Sequence, residues 1–584
     1  MMLLLAFFVL IMMTPAATTL AAAASPSHIV WNNLHAAHLS LNLVEGFAYG
    51  VPFHDANYIN TVKRALHVPA GGRYPGGTFA MFFNITRADW VDGCATTLRK
   101  GLGMRVRGCG DSGSGKRDFY GVAMQPAGTF SARNYVRHLG LPTFVLNVLT
   151  SDDVARDIEV CLDAANTNND EDDDVVVRFE VGNEMYYQPP YDGNAYLRVA
   201  QTTLEQLRRA AQMRSNVRVA AGIPLDVNGS PFVVRQYPGA MQGGDAYNKA
   251  TSWNRALLPV VVKGNFTTAA TAAVIHTNCA ASMVTRALAR DPGIRHASRW
   301  HAWMTYIVAE PEAMLDSFAD TAEKIGMTLW LTEFDSGSCV LDEWSVDKEA
   351  SNFVKRASFG KAGGLRYIST LLVSMSRGNT IEASQAFGLA FGQTRLVDAQ
   401  QIGWSTNISH IRFNAAGQLR SALSKNLCSL AGSCDLLPTL QARRVVMRNS
   451  SASLPFTMTR PDGMRVKLKC VLVVSFRKRD KQDDANNSGA SSARMLFAAV
   501  NRCMEPVDFE NSFSSPSSSC KLDADGGTSF PLLRDVDSRD DNEWSVLPRT
   551  LWTAESSPST LGGMSFSVWF ARCTFTGGKY RDEL

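Results

Sequence analysis

Through the first two thirds of the chain, short apolar runs alternate with stretches whose apolar residues recur at helical spacing. Each run predicts a strand and each periodic stretch a helix. The runs fall at 39–50, 71–83, 142–150, 175–179, 217–226, 298–306, 327–335 and 380–392. The helical stretches include 55–68, with Asp55 at its N-cap, 151–166, with Ser151 as a candidate cap, 196–213, 310–326 and 348–377. Eight strands with helices in most of the gaps, over about 370 residues, predict an α/β fold of the (β/α)8 TIM barrel type, with insertions. A doubly wound sheet fits the alternation as well, but no G-x-G-x-x-G follows a strand to favour it.

From about residue 436 the helical spacing ends. Short β-prone runs take over at 464–478, 494–503 and 564–575, separated by polar loops. They predict an appended C-terminal β-sandwich domain. The expected organisation is a leader over 1–24, a catalytic barrel over 25–435, a sandwich over 436–580 and a tail over 581–584.

The leader is a separate signal. Leu3–Met13 is uninterrupted apolar sequence, followed by small residues around Ala21–Ala24, the pattern of a cleaved secretory signal peptide. The longest later apolar stretch, 257–276, is broken by Lys263 and Asn265, so no stable membrane insertion is expected after cleavage. Six N-x-S/T sequons, at Asn84, Asn228, Asn265, Asn407, Asn449 and Asn486, agree with a secretory route and a glycoprotein. Eleven cysteines in an oxidising lumen should mostly pair, with at least one left over. Cys94–Cys109 and Cys428–Cys434 are the expected local bridges. The chain ends in Arg581-Asp582-Glu583-Leu584. That tail is close to the address read by a retention receptor, which favours the lumen of the endoplasmic reticulum over secretion.

The net charge of +4 over 584 residues gives no reason to propose nucleic acid or an acidic membrane as partner. Three motifs can be set aside. The acidic loop 166–174 lacks the ligand spacing and turn glycine of a calcium loop, and reads as a solvated connection. The stretch 108–118, GCGDSGSGKRD, looks like a protease nucleophile loop and like a phosphate-binding loop. It has no assignable His and Asp for the first and no Ser or Thr after its lysine for the second. His276 and His301 have no metal-ligand spacing and read as structural or rim residues.

The chemistry sits where strands end. At the carboxyl face of such a barrel, one predicted strand runs into Glu184 (VRFEVGNE) and another into Glu333 (TLWLTE). Two carboxylates facing one cleft are what glycoside hydrolysis requires. Asn183, beside Glu184, suits a hydrogen bond to a sugar 2-hydroxyl. Tyr186, Tyr187 and Tyr191 offer aromatic faces to stack against a sugar.

GNE at a fourth strand, LTE at a seventh and RYPGG at a second together resemble the clan A retaining glycoside hydrolases. The α-L-arabinofuranosidase-like families and the heparanase or β-glucuronidase-like families look most similar. The resemblance implies Glu184 as acid/base and Glu333 as nucleophile. It implies Arg73 as the residue that holds the nucleophile ionised, and Tyr306 as an aromatic hydroxyl touching it. The chain departs from those families at MYYQPPY after Glu184 and at LTEFDSGS, which leaves the sugar open. The implied activity is a glycosidase acting on a carbohydrate, with no cofactor and no metal. A lumenal glycan-binding protein on the same scaffold and a transglycosylase are the alternatives.

Overall fold

The structure, a computed structural model, describes residues 31–39, 71–77, 83–90, 131–149, 151, 153–166, 175–188, 192–234, 244–262, 270–277, 297–334, 361–386, 412–445, 452–479, 491–508, 518–531, 550–552 and 560–575, with a few isolated positions besides. The leader, the acidic loop, the 108–118 stretch, the Cys94–Cys109 pair and the Arg581–Leu584 tail lie outside the described residues.

Seven strands form one parallel sheet in the order of the sequence: β1 (Arg73–Tyr74), β2 (Thr143–Val145), β3 (Val175–Glu180), β4 (Val217–Pro224), β5 (Ala270–Thr277), β6 (Thr328–Phe334) and β7 (Ile381–Ala386). Helices fill the connections: α1 (Ala132–Leu139), α2 (Val154–Asn166), α3 (Gly193–Gln212), α4 (Gly244–Val261), α5 (Ala297–Lys324) and α6 (Lys361–Met375). A further helix, α7 (Ala415–Ala431), follows the last strand. The sheet is curled. Gln385 on β7 donates from Nε2 to the carbonyl of Gly72, beside β1, at 3.3 Å. This is a TIM-like domain; the predicted first strand, 39–50, beyond Leu39, and most of the 55–68 helix lie outside the described residues.

One large side chain accounts for much of the packing inside the curl. Trp330 on β6 is fully buried among Ala37, Ala220, Ala272, Val274 and Ala383. Gly222 on β4 completes the fit, because a Cβ there would stand 2.6 Å from the Trp330 ring. Small residues on neighbouring strands thus make the room that one bulky residue fills.

Two elements differ from the pattern reading. The run 298–306, expected as a strand, is the first part of α5, and 310–326 is its continuation. Its bulky aromatic residues imitate a strand, and Pro311 imitates a helix start. In the structure Pro311 lies inside one helix. A proline has no N–H for the carbonyl four residues earlier. Here the carbonyl of Ile307 accepts instead from Nη1 of Arg366 on α6, at 3.2 Å, and that guanidinium also pairs with Glu310 at 2.6 Å. The strand that belongs at this point is β5, which the sequence hides at the end of the apolar stretch 257–276. The first part of that stretch closes α4. At α2 the cap is Asp153, whose Oδ1 accepts from the amide of Arg156. Ser151 instead donates to Asp157.

The C-terminal residues form a seven-stranded antiparallel sheet from β8 (Leu440–Arg444), β9 (Val471–Lys478), β10 (Ser491–Asn501), β11 (Ser518–Pro531), β12 (Thr550–Trp552) and β13 (Ser565–Phe575). Its seventh strand comes from the other end of the chain: Asn32–Asn33 pairs with β8 at the edge. Alternation along β9 buries both faces. Leu472, Val474 and Phe476 join the core shared with α7, and Val471 and Val473 join a second cluster with Leu454, Met458 and Trp569. Among the described residues the layer over that second face is made of segment 452–458 and short ladders, rather than another large sheet. Cys470–Cys503 and Cys520–Cys573 are bridged, and Cys428–Cys434 is bridged as expected. Cys161 is free and buried.

The two parts are joined by charge as well as apolar contact. One face of α5 presents Glu312, Asp316 and Asp320 to Arg444, Arg502 and Arg460 of the C-terminal part, with Arg444 reaching Asp316 at 2.6 Å and Arg460 reaching Asp320 at 2.6 Å.

Candidate active site

The strand-end residues of β1, β3, β5 and β6 converge on one buried cluster. Arg73, with a fully buried side chain, is its centre. Nη1 donates to Oε1 of Glu333 at 2.5 Å. Nη2 donates to Oε1 of Glu180 at 2.7 Å and to Oδ1 of Asn183 at 2.7 Å, and Nε donates to Oε2 of Glu180 at 3.1 Å. A guanidinium is suited to this, since its planar fork can serve several carboxylate and amide oxygens at once.

The turn after β3 aims Glu184. Gly182 takes φ +78°, and a Cβ there would come within 2.7 Å of Met185 Sδ. Only glycine meets both conditions. Glu184 itself adopts φ 43°, ψ 42°, a left-handed conformation uncommon outside glycine and found preferentially at functional sites. Its side chain is the exposed member of the cluster, at 21%. Behind the turn, the Tyr196 hydroxyl donates to the carbonyl of Val181, and its ring stacks on Trp253 at 5.1 Å. Asn183 is fully buried, and its Nδ2 has no hydrogen-bond partner.

The bulge between β5 and β6 aims the other two groups. Ile275 pairs with Leu331, but the next pair is His276 with Glu333, so Thr332 is skipped. The skip places the imidazole and the carboxylate side by side on adjacent strands. His276 Nδ1 lies 3.0 Å from Oε1 of Glu184 and 3.4 Å from Oε2 of Glu333, while Nε2 meets the Thr332 hydroxyl at 3.1 Å. One oxygen of Glu184, one of Glu333 and one nitrogen of His276 all lie within 4.8 Å of one another.

Burial on its own lowers the His276 pKa; the carboxylates of Glu333 and Glu184 outweigh it, and the net shift is upward. Burial raises that of Glu180 against the pull of Arg73. Asp226, two residues beyond β4, is pushed up to about 6 by burial, with the nearby Glu184 charge adding to the rise. The bonds it accepts from the amide and side chain of Asn228 oppose it.

Of the residues singled out in the sequence, Glu184, Glu333, Asn183 and Arg73 come together here. Tyr186 is adjacent: half-buried, edge-on to Tyr187 at 4.6 Å and near Trp253. Tyr187 is the more exposed of the two, and Tyr191 lies outside the described residues. Tyr306 is a correction. It sits on α5, and its ring packs near Phe456 of the C-terminal part, because the segment expected to end a strand is helical. His276, expected as a structural or rim residue, is buried within the cluster. His301 lies on α5. The pattern reading also passed over Glu180 and Thr332. The signal for Glu180 was a carboxylate closing the strand before the GNE turn, and for His276 a histidine directly ending an apolar run. Of the sequons within the described residues, Asn84 is buried and Asn228 binds Asp226.

No family model matches the chain, and no curated protein matches it in sequence. Solved structures do match. The family 51 α-L-arabinofuranosidase AbfB from Bifidobacterium longum aligns with 13% identity over 94% of this chain and 98% of its own, with a TM-score of 0.51. The family 51 arabinofuranosidase from Xanthomonas axonopodis pv. citri aligns at 10% identity over 94% and 98%, with a TM-score of 0.46. The α-L-arabinofuranosidase from Thermotoga maritima, solved as an arabinose complex, aligns at 11% identity over 94% and 98%, also with a TM-score of 0.46. The chain therefore has the fold of the Bifidobacterium longum enzyme over nearly the whole length of both.

Proposed function

We propose that this chain is a retaining glycoside hydrolase. The observation that carries the reading is the separation of Glu184 and Glu333, whose facing oxygens lie within 4.8 Å. Retaining enzymes hold their two carboxyl groups about 5 Å apart, and inverting enzymes need a wider gap for a water molecule. Glu333, gripped by Arg73, attacks the anomeric carbon as the leaving oxygen takes a proton from Glu184. Water activated by Glu184 then releases the sugar from Glu333 with its configuration retained. Asn183, with its unpartnered Nδ2, donates to the sugar 2-hydroxyl, a bond that strengthens as positive charge builds on the ring. Tyr186 and Tyr187 flank the acid/base side of the cleft. The two carboxylates suffice for the reaction without a cofactor.

We propose separately that the protein follows the secretory pathway. Three disulfides fit an oxidising compartment. The test is a panel of aryl glycosides followed by a mechanism-based fluorosugar of the best sugar. The expected result is a covalent adduct on Glu333 detected by peptide mass. An adduct elsewhere, or a protein that binds the sugar and forms none while the whole panel stays uncleaved, rejects the reading.

A further inference from the structure

We propose that Glu184, His276 and Glu333 form a binding site for one zinc-class divalent cation, and that the cation holds the enzyme inactive by occupying the catalytic pair. The inactivation rests on the hydrolase reading above; the binding rests on the geometry alone.

Three observations support the site. The first is spacing. Zinc bonded to nitrogen and oxygen at about 2.0–2.2 Å in a tetrahedron sets its ligand atoms about 3.3–3.5 Å apart. His276 Nδ1 stands 3.0 Å from Glu184 Oε1 and 3.4 Å from Glu333 Oε2, and all three atoms fall within 4.8 Å. Small side-chain rotations bring them to bonding distance of a common point.

The second is support from behind. The Thr332 hydroxyl engages Nε2 of His276 and so turns Nδ1 toward the carboxylates. Arg73 grips Oε1 of Glu333, which turns Oε2 toward the imidazole. Such outer partners fix a ligand's orientation and tautomer in established metal sites. Glu184, the exposed member, gives the cation access and leaves room for water as fourth ligand. Asn183, in the same ring, holds a buried donor for an oxygen that a ligand brings in.

The third is charge. Arg73 carries one positive charge among three carboxylates, those of Glu180, Glu184 and Glu333. A divalent cation therefore meets an excess of carboxylate charge at this point, and with one oxygen of Glu184 and one of Glu333 bound to it the pair is occupied.

The experiment is equilibrium dialysis of the full chain against zinc alone, with cobalt as an optical probe of tetrahedral coordination. The wild type should take up one equivalent, and cobalt should give the intense visible bands of a tetrahedral site. His276→Asn and Glu184→Gln should each weaken binding at least about 100-fold, and Thr332→Val about 10-fold. Glu184 is partly exposed, so its variant keeps the test valid should the buried ones misfold. No uptake by the wild type, or uptake unchanged in both ligand variants, overturns the proposal. Zinc uptake without a sugar adduct on Glu333 would sink the hydrolase reading and leave the site standing. An adduct without zinc uptake would do the reverse.

Discussion

Nη1 of Arg73 donates to Glu333 while the rest of the same guanidinium is spent on Glu180 and Asn183. One buried cation therefore serves both Glu333 and the strand that leads to Glu184. Removing it leaves two dry carboxylates facing each other. Arg73→Met should cost about 3–5 kcal/mol of stability and nearly all turnover. Adding Glu180→Gln to that variant should recover part of the stability and none of the turnover. Denaturant midpoints and initial rates on the same preparations check both halves. Equal loss of stability in the single and double variants would show that Glu180 is not the stranded charge.

The two glutamates should separate by their chemistry. Glu333→Gln should abolish turnover with folding intact. Glu184→Ala should lose about 10²–10⁴-fold on substrates with poor leaving groups, and much less on activated aryl glycosides. Azide, filling the gap at residue 184, should restore turnover and yield a glycosyl azide of retained configuration. Near wild-type activity in Glu333→Gln would remove the assignment.

Asp226 sets a pH dependence. Its carboxyl is pushed up to about 6 from an ordinary 3.8, so the folded state holds the proton more tightly than the unfolded chain does. This contribution is full below about pH 4 and is lost as pH rises through 6. The shift of roughly 2 units corresponds to about 3 kcal/mol at most. Asp226→Asn should therefore stabilise the protein at pH 7.5 by up to that amount, and the gain should vanish near pH 4. Unfolding midpoints at the two pH values give the answer, and a gain of equal size at both would contradict it.

Two glycines with left-handed backbone make a matched pair. At Gly182 (φ +78°) an added methyl meets Met185 and Val148, whereas at Gly326 (φ +70°) it meets nothing within 4 Å. Gly326→Ala should cost only the conformational term, about 1 kcal/mol, and leave kcat alone. Gly182→Ala should cost more and should lower kcat, because it displaces the turn that carries Asn183 and Glu184. Thermal melts and kcat for the two variants are the measurement.

Much of the scaffold was readable because parallel strands buried on both faces leave dense apolar runs, and β3, β4, β6 and β7 follow theirs closely. Glu184, Glu333 and Asn183 were readable because each follows or closes such a run, whereas Arg73, which opens β1, came from the resemblance. What stayed hidden depended on residues distant in sequence. Pro311 lies inside α5 because Arg366 on another helix takes the carbonyl it abandons, a partner that no local window contains. A strand over 298–306 would end at Tyr306, and the helix that forms there instead carries that residue to the C-terminal part. Glu180 is fully buried only because Arg73, 107 residues earlier, lies beside it.

The pairing of Asn32–Asn33 with β8 ties the earliest described residues to a strand that begins at Leu440. During synthesis those first residues emerge about 400 positions ahead of their partner. At roughly 5–20 residues per second, the wait is some tens of seconds. Until then they form an unclaimed edge in a crowded compartment. Trimming that removes Asn32–Asn33 would leave the rim of β8 unpaired, a place for other chains to add a strand.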